Sequence, residues 1–140
     1  MRLVTFTAIL IFGLSCSGTK HAIIKSSKLN GTWIPVKQEI GGISLPKPAF
    51  EKQKLILSDS NYTFIAESTD KGVIKFGDGK MDIYGREGVN TGKHFTAIYK
   101  YENGEFTVCY NLLGDRYPEA FETKGKPSLF LSATCSGHIV

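Results

Sequence analysis

Short segments rich in β-branched and aromatic residues recur along the chain at intervals of roughly 8–12 residues, with turn-forming residues between them. Glycine, proline and aspartate supply those turns, as in "GGISLPKP" at 41–48 and "FGDGK" at 76–80. Helical periodicity is absent beyond one turn within 48–53, so the pattern is typical of an all-β domain. It predicts eight strands: 31–38, 53–57, 62–67, 72–76, 81–84, 95–102, 105–112 and 128–134.

The segment "YKYENGEFTV" (99–108) gives the most specific local prediction, a β-hairpin. Asn103-Gly104 can adopt the positive φ angles that a two-residue type I′ turn requires. The resulting register pairs Glu102 with Glu105 and places the aromatic residues of both strands on one face. The pairs on that face are Tyr101–Phe106, Tyr99–Val108, Ala97–Tyr110 and Phe95–Leu112. We expect this face to point into the core and Cys109 to lie on the other face.

Eight short strands in hairpin order must cover their outer edges. Closing the sheet into an antiparallel up-and-down barrel removes those edges and leaves an interior that is filled by side chains or holds one small ligand. A sandwich of two sheets is the alternative. A chain of 140 residues with 41% apolar residues is long enough for one domain with a real core.

The first residues, "MRLVTFTAILIFGLSCSG", carry one arginine followed by an apolar run from Leu3 to Leu14. That run is too short for a transmembrane helix and fits the core of a signal peptide. Its end resembles a bacterial lipobox, which implies a signal peptide at 1–15, lipid on Cys16 and a tether at 16–28. Ser17 in place of aspartate favours the outer membrane over the inner one. A secreted protein cleaved nearby and an uncleaved anchor are the alternatives.

Three stretches of the domain resemble a short bacterial lipocalin-like family. "NGTW" at 30–33 matches the glycine-x-tryptophan signature of the first barrel strand, and "SLFLSAT" at 128–134 matches the closing strand. The segment 97–121 matches the family pattern at Ile98, Tyr99, Gly104, Cys109, Arg116, Pro118 and Phe121. Tyr117 is an insertion, and Cys135-Ser136 replaces the arginine that usually follows the last strand. The resemblance implies a lipocalin-like β-barrel at 29–135 with a tail at 136–140.

The resemblance implies a binding or structural protein, not a known reaction. We expect a small apolar or amphipathic ligand lined by Trp33, Phe64, Tyr99, Tyr101 and Tyr110, with Arg116 as a polar anchor. Arg116 or Arg86 would also have to replace the missing arginine that packs over the tryptophan. Plain core packing in a filled barrel is the alternative for the aromatic residues. A second function class is an envelope protein–protein or inhibitor module that uses the long loops 41–50 and 113–127.

No residue constellation indicates catalysis, a metal or a cofactor. The three histidines, His21, His94 and His138, lack metal-ligand spacing, and His94 is expected to be a surface residue at a strand end rather than a haem ligand. "TCSGH" at 134–138 has no third residue to orient a cysteine–histidine pair. The net charge of +4 comes from scattered lysines, which argues against nucleic-acid binding. We therefore expect a non-enzymatic, monomeric protein.

Cys109 and Cys135 are the two thiols that remain if Cys16 is lipidated. An exported protein with two such cysteines suggests a disulfide. Strand alternation argues against it, because Cys135 shares its face with Leu129 and Leu131 whereas Cys109 lies opposite the aromatic face. A bridge would need a bulge or a strand end to bring the thiols together.

Overall fold

The structure contains nine antiparallel strands in sequence, and most of the predicted turns lie between them. A computed structural model describes residues 26–137, and the predicted signal peptide, Cys16 and most of the predicted tether lie outside them. Among the described residues no helix is long and apolar enough to cross a membrane. The strands are β1 (Gly31–Ile40), β2 (Ile43–Ser44), β3 (Lys54–Ser58), β4 (Asn61–Ile65), β5 (Thr69–Gly77), β6 (Lys80–Glu87), β7 (His94–Glu102), β8 (Glu105–Asn111) and β9 (Ser128–Gly137).

Pairing between β1 and β9 closes the sheet into a barrel. From β3 to β9 each strand pairs with the next, while β1 pairs with β3 on one side and with β9 on the other. The result is an eight-stranded antiparallel up-and-down barrel, the architecture of lipocalin-like proteins, and the two-residue β2 is an appendage on the end of β1. The predicted barrel is confirmed, and the alternative of a two-sheet sandwich is wrong.

The predicted hairpin between β7 and β8 is confirmed. Asn103 and Gly104 have φ angles of 53° and 78°, both in the left-handed region that a type I′ turn needs. The register is the predicted one from Glu102 and Glu105 to Thr96 and Asn111. The pairing ends there, so the predicted pair of Phe95 with Leu112 lies beyond β8.

Strand ends differ from the prediction where tertiary pairing extends them. β1 continues to Ile40 because β9 pairs with it as far as Leu129 and because β2 folds back on Ile40. β9 continues to Gly137, which pairs with Thr32, so the barrel includes two residues of the predicted tail. β5 begins at Thr69 rather than 72 because its first three residues pair with the last three of β4. β4 ends at Ile65 rather than 67 because residues 66–68 form the turn between the two strands.

One end of the barrel, which we call the closed end, is plugged by Trp33. Three tight hairpin turns meet there, and so do the start of β1 and the end of β9. A short 3-10 helix, Ser26–Leu29, precedes β1, and the Trp33 Nε1–H donates a hydrogen bond to the Leu29 carbonyl at 2.8 Å. Trp33 and Leu29 are both fully buried, and the indole contacts the rings of Tyr101 and Phe106.

The opposite end, the open end, carries the longer connections. These are the β1–β3 segment with β2 and a 3-10 helix (Lys47–Ala49), the β4–β5 turn, the β6–β7 loop and the β8–β9 loop. Both of the long loops that the sequence predicts as a functional rim, 41–50 and 113–127, therefore start and end at the same end of the barrel.

A substitution at Gly72 tests the tight approach of neighbouring strands. A Cβ atom at Gly72 would lie 2.0 Å from the Tyr84 carbonyl oxygen and 2.6 Å from Cε1 of Tyr62. Gly72→Ala is expected to lower the free energy of unfolding by about 1–3 kcal/mol, the usual cost of overpacking. Gly77→Ala in the same strand is the matched control, because its nearest neighbour would be 4.0 Å away. Urea unfolding followed by circular dichroism measures both, and equal stabilities would contradict this account.

Candidate functional site

A cavity of about 400 Å³ lies inside the barrel and opens between the connections of the open end. Strand alternation lines it, because every second residue of each strand points inward. Apolar side chains dominate the lining: Ile40, Leu45, Ala49, Leu55, Leu57, Phe64, Ile74, Met81, Ile83, Phe95, Phe106, Leu112, Leu129 and Leu131. The remaining lining residues are polar or carry a hydroxyl group: Gln38, Gln53, Tyr62, Asp70, Asn90 and Tyr110.

Asp70, the first inward-facing residue of β5, is the centre of a polar cluster in the cavity wall. Its side chain is buried, with only 4% of the residue exposed. The Tyr62 hydroxyl donates to its Oδ2 at 2.9 Å and the Asn90 Nδ2 donates to the same oxygen at 3.1 Å. The Asn90 backbone N–H donates to Oδ1 at 3.0 Å. These bonds join β4, β5 and the β6–β7 loop at the open end.

Two tyrosines line this cavity, and they differ in whether the hydroxyl group has a hydrogen-bond partner. Burial is the main cause that raises the pKa of Tyr62, and its hydrogen bond to Asp70 raises it further. Burial alone raises the pKa of Tyr110. The Tyr110 hydroxyl has no hydrogen-bond partner among residues 26–137, so it is a polar group within an otherwise apolar wall that is available to a ligand.

A pair of glutamines forms the other polar contact of the cavity. Gln38 of β1 donates from Nε2 to Gln53 Oε1 at 2.5 Å, and Gln53 Nε2 donates to the Ala49 carbonyl at 3.2 Å. The second bond fixes the 3-10 helix of the β1–β3 connection against the barrel. Two hydrogen bonds therefore hold the β1–β3 connection at the mouth of the cavity.

The predicted ligand-lining aromatic residues divide into two groups. Phe64 and Tyr110 line the cavity. Trp33, Tyr99 and Tyr101 point inward, as predicted. They pack against other aromatic side chains in the closed end, and they do not line the cavity. Tyr99 contacts Phe76 at a ring-centroid distance of 5.6 Å, and Tyr101 contacts Trp33 at 5.8 Å. For these three residues the structure supports the alternative of core packing.

Arg116 lies outside the barrel, in the β8–β9 loop. It borders a separate depression of about 350 Å³ that this loop forms with the start of β9. Its side chain is 78% exposed and forms an ion pair with Asp115 at 3.4 Å. The structure places neither Arg116 nor the exposed Arg86 on the ring of Trp33, whose ring contacts are aromatic. The prediction of a polar anchor at Arg116 for a ligand in the barrel is therefore wrong.

Asp70 and its partners are functional-site candidates that the sequence prediction does not include. The sequence does carry a signal for Asp70, since it precedes Gly72 and Ile74 with the period of two that marks the inside of β5. Because the predicted strand begins at 72, Asp70 falls in the predicted turn before it. Asn90 carried no such signal, because a loop residue is placed by the path of its loop.

The β8–β9 loop covers the outer face of the barrel beside β7 and β8. Thr123 from this loop is fully buried, accepts from the Gly42 N–H at 2.8 Å and donates to Glu39 Oε1 at 2.6 Å. Cys109 lies under the loop, and its thiol donates to the Glu122 carbonyl at 3.8 Å. Burial raises the pKa of this thiol, which makes it a poor nucleophile.

Cys109 and Cys135 are both free in the structure, and no disulfide joins them. Cys109 is on the outer face of β8, whereas Cys135 pairs with Trp33 and packs against the interior core. The wall of the barrel separates the two thiols. The two cysteines are on opposite faces of the sheet, as strand alternation predicts, and the disulfide expected from the cellular compartment does not form here.

His94 fixes the same loop to the barrel together with Asp82 and Tyr117. The ring of His94 stacks on Tyr84 with centroids 4.7 Å apart, and its Nε2 lies 2.8 Å from Asp82 Oδ1. The Tyr117 hydroxyl donates to Asp82 Oδ2 at 2.5 Å. No cluster of three or more potential metal ligands occurs among the described residues. This cluster is on the outside of the barrel. We call Asp82, His94 and Tyr117 the clasp, because their contacts hold the β8–β9 loop against the barrel.

Tyr117→Phe tests this clasp through its dependence on pH. The hydrogen bond from Tyr117 is the largest cause that lowers the pKa of Asp82, and the same bond raises the pKa of Tyr117. A lowered carboxyl pKa gives stability that is present above the ordinary value of about 4 and is lost as the pH falls through the folded-state pKa. At pH 7 the variant is expected to be less stable by about 1 kcal/mol.

Urea unfolding across a pH series measures this difference, which should shrink below about pH 4 as Asp82 becomes protonated. Tyr84→Phe is the matched control, because its hydroxyl makes no hydrogen bond within residues 26–137. A difference for Tyr117→Phe that stays constant down to acid pH would contradict the role assigned to Asp82.

No protein-family model, curated protein or solved structure matches this chain.

Proposed function

We propose that this chain is a non-enzymatic, lipid-anchored lipocalin-like protein whose barrel binds one small apolar or amphipathic molecule. The observation that carries the proposal is the cavity of about 400 Å³ at the open end. Small-molecule sites commonly have volumes of about 300–1,000 Å³ and combine an apolar lining with a few polar groups. The cavity has that size and composition, and it is in the interior that an eight-stranded barrel can offer a ligand.

The contrast between the two ends of the barrel supports a binding role. In the closed end, the fully buried ring of Trp33 packs against the rings of Tyr101 and Phe106, so large side chains occupy the interior there. At the open end the inward-facing residues leave space instead. Burial of apolar ligand surface there would contribute about 25 cal/mol per Å², enough for useful affinity from a modest ligand.

The mouth of the cavity carries exposed apolar residues that suit the entry of such a ligand. Ile40 and Leu112 line the cavity and are 45% and 43% exposed, and Val89 in the β6–β7 loop is 68% exposed. Exposed apolar groups grouped at one site commonly mark ligand-binding grooves or interaction surfaces.

An envelope protein–protein module is the second candidate, and the same rim is the observation that favours it. Ile43 and Leu113 are exposed at the open end but do not line the cavity, so a protein partner could contact them without filling the barrel. Native mass spectrometry of the protein purified from cells separates the two candidates. A bound small mass supports the carrier, and a bound protein supports the module.

A blocked cavity tests the carrier function directly. Leu129, a half-buried lining residue at the start of β9, is a suitable position for a larger side chain. Leu129→Trp is expected to weaken binding of the neutral fluorescent probe N-phenyl-1-naphthylamine at least about tenfold, because the indole occupies space that the probe needs. The exposed Leu113→Trp is the matched control and should bind like the wild type. Fluorescence titration of the probe measures all three proteins.

Failure of the wild type to bind this probe or any small apolar molecule would contradict the carrier proposal. Quenching of Trp33 fluorescence is not a suitable readout, because Trp33 is fully buried in the closed end and does not line the cavity.

Metabolic labelling tests the anchor separately from the cavity. Radiolabelled palmitate is expected to enter the wild-type chain expressed in a bacterial host and to be absent from Cys16→Ala, because the thiol of Cys16 is the proposed acceptor. Label in both chains would show that lipid attachment does not depend on Cys16.

A further inference from the structure

The cavity contains a buried carboxylate and no cationic side chain. Among its twenty lining residues, Asp70 is the single acidic one, and none is lysine, arginine or histidine. A buried charge is costly unless it is paired or well hydrogen-bonded. No ion pair within residues 26–137 includes Asp70, so its charge is not neutralised by the described part of the protein.

The hydrogen bonds of Asp70 are those of an ionised carboxylate that can still accept another. All three of its partners donate: the Tyr62 hydroxyl, the Asn90 side-chain amide and the Asn90 backbone N–H. A carboxylate can accept about four hydrogen bonds, so one more position is open. The cavity side is where a ligand would supply that donor.

Tyr110 of β8 provides a second acceptor in the lining of the same cavity. Its hydroxyl oxygen has no hydrogen-bond partner among the described residues. A hydroxyl oxygen can accept from an N–H donor as well as donate. A ligand with several N–H donors would therefore find two acceptors in the cavity lining, Asp70 and Tyr110.

An anionic ligand would find the opposite environment. A carboxylate brought into the cavity would meet the charge of Asp70 in a low-dielectric interior without a cation to compensate it. Lys93 lies beside the Asp70 cluster, and its Nζ donates to Asn90 Oδ1 at 3.3 Å. Lys93 is exposed and does not line the cavity, so solvent and salt screen its charge.

We propose that the cavity selects amphipathic molecules whose polar end is a protonated amine, held by Asp70 and Tyr110, over those that end in a carboxylate. This selectivity rests on the proposed carrier function and names its ligand class. The apolar part of the molecule lies among the leucine, isoleucine and phenylalanine side chains of the lining. Asp70 also anchors the β6–β7 loop through Asn90, so the test must separate recognition of the ligand from support of the loop.

Three probes with the same apolar chain and different polar ends test the selectivity: decylamine, decanol and decanoate. Isothermal titration calorimetry at neutral pH, below the micelle concentration of each probe, measures their affinities for the mature chain. That chain carries Cys16→Ala so that no acyl group competes for the cavity. Decylamine is expected to bind at least about tenfold more tightly than decanoate, with decanol between them.

Two variants identify the group responsible. Asp70→Asn keeps the size of the side chain and removes its charge, and is expected to reduce the preference for decylamine over decanoate to about twofold or less. Thr91→Ala is the control, because it removes the hydrogen bond from Thr91 to the Gly88 carbonyl within the same loop but leaves the cavity lining and the donors to Asp70 unchanged, and the preference should persist. If Asp70→Asn does not fold, the ranking of the three probes on the wild type still decides the selectivity.

Each outcome has one meaning. Absence of binding by all three probes overturns the carrier function itself. Binding in which decanoate equals or exceeds decylamine leaves the carrier function standing and overturns the selectivity. A preference for decylamine that persists in Asp70→Asn overturns the assignment to Asp70.

Discussion

The hydrogen-bonded ladder between β1 and β9 is the interaction on which the rest of the architecture depends. It joins the first strand of the barrel to the last and leaves neither with a free edge. The ladder contains two irregularities, and at one of them Val36 is the extra residue between Pro35 and Lys37. Proline cannot donate to a ladder and is tolerated at bulges, and a bulge bends its strand. The sequence of β1 therefore suits a strand that must curve to close a barrel.

Closure fixes what the inward-facing residues can do at each end. At the closed end the short turns bring Trp33, Phe106 and their neighbours into contact, and Leu29 covers them through its hydrogen bond with the indole. At the open end longer connections keep the strands' ends uncovered and carry Asn90 and Gln53 to the mouth. The half whose interior is filled by aromatic side chains and the half that contains the cavity are thus parts of one sheet, and they differ in the length of their connections.

The fold can be predicted well from the sequence because strand boundaries and pairing depend on short segments of the chain. Turn residues mark the strands, Asn103-Gly104 sets a register, and alternation assigns residues to the two faces. The position of a residue along the barrel axis depends on the tilt and stagger of the strands, which alternation does not encode. That is why Tyr99 and Tyr101 were correctly predicted to face inward but wrongly predicted to line a ligand site. Arg116 and Asn90 lie in loops, whose paths are set by tertiary contacts such as those of Thr123 and Asp70.

The start of β1 and the end of β9 share the closed end, and this fixes where the preceding chain is attached. The described chain enters there through Ser26–Leu29, so whatever precedes Ser26 is joined to the end opposite the cavity mouth. If Cys16 carries lipid, as the sequence predicts, the anchor is attached through the closed end. A ligand could then enter the barrel without passing the segment that joins it to the anchor.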